Sequence, residues 1–248
     1  AIDVVGGNLI REIKPGEIVH LSHQKDIHSE FIIKSNKKAL CQFEYVYFAR
    51  PDSIIDGISV AEARLRLGAS LAKRDTILNN YKIKENAVVV PVPDSARIVA
   101  VGYAKEANIP YVEGLIKNRY IYRTFIMPSQ SKRKIAVREK LNTIKSVVFG
   151  KDIILLEDSI VRGTTMKQIV SLLKNKGGAK RVHLRIGCPP IISPCYMGID
   201  FPTKVELIAG RFQEHYGETY LDEIRKKLGV DTLLYQTVDD LTQAIWKE

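Results

Sequence analysis

The sequence is short of cysteine, of long apolar runs and of internal repetition, and each shortage removes a class of protein. Only Cys41, Cys188 and Cys195 occur in 248 residues, with no Cys-x-x-Cys pair among them. A zinc ribbon or a disulfide scaffold therefore has no ligands to build on. Buried free thiols are the expected state of these cysteines. The longest apolar stretches, Ala87–Val90 and Ile153–Leu156, are far too short to cross a bilayer. No basic segment followed by an apolar run opens the chain, so no secretory leader is expected, the expected compartment is the cytoplasm, and no membrane partner is expected. No repeat and no low-complexity segment is found.

What is present is an ordinary globular composition, 45% hydrophobic and 27% charged, in a chain long enough to bury a core without a staple. The net charge is +10 and the pI about 9.4. Such an excess points to nucleic acid, a membrane surface or a polyphosphate ligand. Its location decides among them. Between Lys117 and Lys140, eight basic residues (Lys117, Arg119, Arg123, Lys132, Arg133, Lys134, Arg138, Lys140) face one acid, Glu139, so most of the excess sits in one stretch. Residues 1–40 show no helix-turn-helix pattern, and nucleic acid is not expected as a partner.

Along the chain, residues 1–40 read as β-rich, with strand-like pieces at 8–13 and 18–21 around the turn Lys14-Pro15-Gly16-Glu17. From Val60 to about Leu78 the residues Val60, Ala63, Leu67, Leu71 and Leu78 recur at helical spacing. The pattern then alternates: a buried strand at 87–92, a helix at 95–107, a buried strand at 153–156, a helix at 164–176 closed by Gly177-Gly178, and a strand at 181–186. A last short amphipathic helix falls at 238–246. Continuous apolar strands separated by amphipathic helices mean a parallel sheet covered on both faces, an α/β domain whose ligands sit at the carboxyl ends of the strands.

The most informative segment is Asp152-Ile-Ile-Leu-Leu-Glu157-Asp158-Ser159-Ile-Val-Arg162-Gly163-Thr164-Thr165. A buried strand ends in two adjacent carboxylates, whose mutual repulsion needs compensation. It then enters a Ser/Gly/Thr loop that opens a helix, offering backbone N–H groups, hydroxyls and a positive helix end to a phosphate. The Gly-Lys-Ser/Thr ending of a Walker loop is missing. A ribose 5-phosphate unit satisfies both halves, with its phosphate on the loop and its hydroxyls on the acids. The acids would also favour an oxocarbenium-like transition state.

This stretch resembles the phosphoribosyl pyrophosphate (PRPP) signature of type I phosphoribosyltransferases. Its wording Glu-Asp-Ser-Ile-Val-Arg-Gly-Thr-Thr is similar to that of glutamine phosphoribosylpyrophosphate amidotransferases. Collinear blocks at 41–53, 90–95, 117–130, 138–142 and 198–200 carry the same resemblance. It implies the type I fold with a flexible lid loop, and the transfer of an amino group to C1 of PRPP, giving 5-phosphoribosylamine and pyrophosphate. That reaction is the first step of purine biosynthesis.

By the same resemblance, Asp94 and Ser95 belong to a pyrophosphate loop, and Glu157, Asp158, Ser159, Arg162, Gly163, Thr164 and Thr165 hold the ribose phosphate. Ser95, Glu157 and Asp158 match positions associated with Mg²⁺, a metal that keeps phosphate and water ligands and needs few from the protein. The basic stretch resembles the lid, with Lys117, Arg119, Tyr120 and Arg123 at the leaving diphosphate. The family usually has two aspartates at the strand end; here the first is Glu157, one methylene longer. Cys41 and Cys195 match two of four cysteines that hold an iron–sulfur cluster in some members. The other two are missing, which argues against a cluster.

The family's glutaminase domain, with its leading cysteine nucleophile, is expected on another segment or chain, and 1–40 resembles its end. Residues 41–248 are then the phosphoribosyltransferase domain. Ammonia is the expected nucleophile for this chain alone, with homo-oligomers and purine nucleotide inhibitors as further expected partners. The rival readings are a PRPP-sensing regulator or scaffold of the same fold, and an enzyme that adds a nucleobase instead. The 41–53 and 117–130 blocks speak against the nucleobase enzyme.

Overall fold

A computed structural model describes residues 2–23, 26–35, 39–118, 141–198 and 203–246. Two compact units divide it, Ala1–Cys41 and Gln42–Glu248. The first holds an antiparallel hairpin of β1 (Glu17–Leu21) and β2 (Ile27–Phe31). The turn Lys14–Glu17 that leads into β1 is fixed by Glu17, whose carboxylate accepts from Arg11 at 2.6 and 2.9 Å and from the Lys14 N–H at 2.8 Å. The strand expected at 8–13 does not form; that segment has no strand pairing, and the hairpin partner is β2, further along the chain. Leu9, Ile10, Leu21, Ile32 and Ile33 are exposed.

The second unit begins with a π-helical turn, Glu44–Phe48. The short ribbon β3 (Ile54–Ile55) and β4 (Ile58–Ser59) leads into α1 (Val60–Arg74). Ser59 caps α1 by accepting from the Glu62 N–H at 3.3 Å. The helix ends four residues short of the expected Leu78, where Asp75 takes extended geometry and caps a following 3₁₀ turn at Thr76–Asn79. Next come α2 (Tyr81–Asn86), β5 (Ala87–Pro91) and α3 (Arg97–Ala107). Then follow β6 (Leu115–Lys117), β7 (Leu141–Thr143), α4 (Lys145–Val148) and β8 (Asp152–Glu157). After β8 come α5 (Thr164–Ser171), which passes into a π turn at Leu172–Lys176, and β9 (Arg181–Ile186). The chain closes with α6 (Ile208–Tyr216), α7 (Tyr220–Leu228), β10 (Thr232–Tyr235) and α8 (Val238–Ile245).

The strands β10, β9, β8 and β5 lie side by side in that order, all parallel. Tyr111 adds a parallel bridge to Val89. Alternation across the pleat divides the core. Val88, Val90, Ile153 and Leu155 pack on one face with Met166 and Ile169 of α5. Val89, Ile154 and Leu156 pack on the other with Leu71 of α1 and Val99 and Tyr103 of α3. Burial of each such aliphatic side chain contributes about 1.5–3 kcal/mol, which is why these strands are apolar on both faces.

Helices α1 and α3 approach closely because both carry glycine at the crossing. A Cβ at Gly68 would lie 1.9 Å from the Val99 carbonyl oxygen, and one at Gly102 would lie 2.1 Å from that of Leu65. Behind the sheet, Asp75 binds the Arg185 guanidinium through both its oxygens and accepts from the Tyr103 hydroxyl at 2.5 Å. The three are buried, and burial beside Asp75 pushes the Tyr103 hydroxyl far above its ordinary pKa. Of the cysteines only Cys188 is buried; Cys41 is exposed and Cys195 partly so, since both lie in irregular segments outside the packed layers. Among the described residues no helix is long and apolar enough to cross a membrane.

Candidate functional site

From β5 the chain passes to the Tyr111 segment on one side and then to β8 on the other, so a topological switch point lies between β5 and β8. Such a point leaves a crevice at the strand carboxyl ends. The loops after these two strands hold most of the residues singled out in the sequence. A cavity of about 770 Å³ there is lined by Ser95, Lys117, Glu157, Asp158, Ser159, Arg162, Gly163, Thr164 and Thr165.

Glu157 and Asp158 stand at the end of β8. Asp158 is 4% exposed and accepts from the Ser159 hydroxyl at 2.5 Å. The Glu157 side chain turns back to accept from the Asp158 N–H at 3.1 Å. Burial, and then the neighbouring Asp158 carboxylate, push the Glu157 carboxyl well above the usual range. The loop beyond is braced from α6 and the turn before it. The Ile208 N–H donates to the Val161 carbonyl at 2.8 Å, and Arg162 pairs with Glu206 at 3.0 Å. Gly163 has φ +78°, and a Cβ there would meet Ile208 Cδ1 at 2.7 Å, so only glycine fits. Helix α5 starts at once, with its N-terminal N–H groups at the cavity.

The loop after β5 carries Asp94 and Ser95, with a cis peptide bond between Pro93 and Asp94. The helix expected from Ser95 begins instead at Arg97, and Ala96 caps it without a side-chain bond, so Ser95 is left to line the cavity rather than to cap α3. Asp94 is held by two cations, Arg97 at 3.1 Å and Lys117 at 3.3 Å. Arg97 in turn reaches Glu113, which accepts from the Tyr111 hydroxyl at 2.6 Å. Arg119, Tyr120 and Arg123 lie outside the described residues.

The residue reading missed one wall of the cavity. Phe43, Tyr47 and Phe48, from the π turn, line it too. They pack edge to face, with ring centroids 5.4 Å apart for Phe43–Phe48 and 5.3 Å for Tyr47–Phe48. The aromatic run Phe43–Phe48 was the available signal, but it follows neither a helical nor a strand period.

Acids at the end of a central strand, a glycine turn opening a helix, and a crevice at the switch point together define a phosphoribosyltransferase-type site. The phosphoribosyl transferase domain pattern matches residues 61–188, and the chain belongs to that family, with the type I fold of a parallel sheet covered by helices on both faces. It is 46% identical to an amidophosphoribosyltransferase of Methanocaldococcus jannaschii over 100% of this chain and 52% of that protein. It is 52% identical to one of Pyrococcus horikoshii over 91% of this chain and 46% of that protein. A solved Bacillus subtilis glutamine PRPP amidotransferase complexed with ADP and GMP superposes with TM-score 0.83 at 43% identity, covering 100% of this chain and 51% of that one. The chain thus spans about half the length of the relatives it matches.

Proposed function

We propose that this chain carries the transferase chemistry of an amidophosphoribosyltransferase, placing an amino group on C1 of PRPP. The observation that supports it most is the meeting of the Glu157–Asp158 strand end, the Gly163–Thr165 turn and the loop carrying Pro93 and Ser95 around one cavity. The ribose phosphate sits on the turn, where helix N–H groups favour an anion. Asp158 accepts from a ribose hydroxyl and stabilises positive charge as it develops on the ring. The nitrogen of ammonia bonds to C1 while the C1–O bond to diphosphate breaks; the electron pair leaves with diphosphate, and the spare proton passes to it or to solvent. Lys117 neutralises the departing group, with Arg119 and Arg123 in the same role and Tyr120 beside them.

The donor set fits a magnesium ion that travels on the substrate. Glu157 and Asp158 supply two carboxylates and Ser95 a hydroxyl, and no group of three or more acid, histidine or cysteine side chains able to hold a metal ion occurs among the described residues. Magnesium bound largely by phosphate and water needs no more than that. When bound it offsets the charge of the diphosphate. In this reading residues 1–40 belong to the glutaminase side, and glutamine is the natural nitrogen source through a glutaminase domain. The protein works in the cytoplasm as a homo-oligomer, and purine nucleotides inhibit it.

The test is PRPP- and Mg²⁺-dependent pyrophosphate release, with ammonium chloride and then with glutamine. Release with ammonium, reduced about 100-fold or more in Asp158→Asn (the scale at which one preorganised electrostatic contact acts), is expected. PRPP binding without release under either condition would move the assignment to a PRPP sensor or scaffold.

A further inference from the structure

Arg64 has no part in the site as described, yet its position is hard to explain by packing alone. It lies on the inward face of α1, in line with Val60 and Leu67, and is 2% exposed. A guanidinium so placed is costly unless its donors are satisfied and its charge answered. Its donors go to the π turn: Nε donates to the Tyr45 carbonyl at 2.8 Å and Nη2 to the Ala49 carbonyl at 2.9 Å. Those are carbonyls of the last turn of a short helix, which lack intrahelical partners and carry its negative end. Burial lowers the Arg64 pKa, and the charge that acts against this is Asp158, the acid of the cavity.

The turn that Arg64 grips is the one that carries the aromatic wall. Phe43, Tyr47 and Phe48 line the same cavity as Glu157 and Asp158. Tyr47 and Phe48 stay 48% and 46% exposed, so little of their own burial fixes them. What anchors the turn is on its other side: buried Tyr45, whose hydroxyl donates to the Ile55 carbonyl at 2.9 Å, and the Arg64 fork. We infer that Arg64 is a positioning residue, holding the aromatic wall over the cavity so that water is kept from the sugar carbon while the acids still line it. This rests on the transferase reading above. Loosening the wall would admit water, which attacks C1 with loss of diphosphate and gives ribose 5-phosphate, diphosphate and a proton.

Two variants separate the fork from the charge. Arg64→Lys keeps a cation but offers a point charge in place of a planar fork, and Arg64→Met removes both. Amide hydrogen exchange over 44–49 is expected to speed up at least 10-fold in both, with exchange in β5 and β8 unchanged. Pyrophosphate release without ammonia is expected to rise severalfold relative to release with it, in both variants. Wild-type protection over 44–49 in both variants would overturn the assignment, whatever the chain catalyses. Lost protection with an unchanged ratio of the two releases would overturn the exclusion of water. If the wild-type protein itself released no pyrophosphate with ammonium, the transferase reading would fall, and the exchange data would still decide whether Arg64 holds the turn.

Discussion

His183 shows how one buried side chain ties stability to acidity. It sits in β9, 2% exposed, with Nδ1 3.0 Å from the Thr232 hydroxyl, and Nε2 has no partner among the described residues. Burial, and then the nearby Arg185, lower its pKa from 6.5 to about 4; Arg181 adds to this, while Asp231 and Asp152 act the other way. The native ring therefore stays neutral where the unfolded ring takes up a proton, and stability falls as pH drops from about 6.5 to about 4. That shift corresponds to on the order of 3 kcal/mol. Urea midpoints at pH 7 and 4.5 should show that loss, and His183→Gln should shrink it; an undiminished loss in the variant would place the acid sensitivity elsewhere. At this scale the sequence was legible where chemistry clusters. The pair Glu157–Asp158 and the turn at Gly163 stood out because acids and glycine interrupt an apolar run. Arg64 and Arg185 did not, since a cation within an apolar stripe reads as surface until its partners are known, and Tyr45, Ala49 and Asp75 lie 15–19 or 110 positions away.

The elements themselves followed their periodicities. The strands at 87–91 and 152–157, and the helices from Val60, Thr164 and Val238, lie close to where hydrophobic spacing puts them. What spacing did not reveal is how near two helices come. The α1–α3 crossing depends on Gly68 and Gly102, and a methyl group at Gly102 would overlap the Leu65 backbone, which has no rotamer to yield. Gly102→Ala should destabilise the fold by about 1–3 kcal/mol or more, the range for overpacking, despite its better helix propensity. Chemical denaturation would check this; a gain in stability would show that the helices can separate without loss. The π turn at 44–48 was unreadable for a related reason. It is held by tertiary bonds from Arg64 rather than by its own pattern.

Across the whole molecule, the excess of ten positive charges meets a site expected to take a diphosphate and a phosphate. Binding of PRPP should weaken as salt rises, because exposed cations are screened within about 10 Å at 0.1 M. Calorimetry between 50 and 300 mM salt would measure it, and an affinity indifferent to salt would count against a site built on this charge. Asp94 gives that electrostatics a kinetic side. Its carboxylate already holds Lys117 at 3.3 Å and Arg97 at 3.1 Å. On the transferase reading, an incoming diphosphate would compete with that resident anion for the lysine. Asp94 would then be a built-in competitor, one that lowers affinity for the diphosphate and shortens its stay.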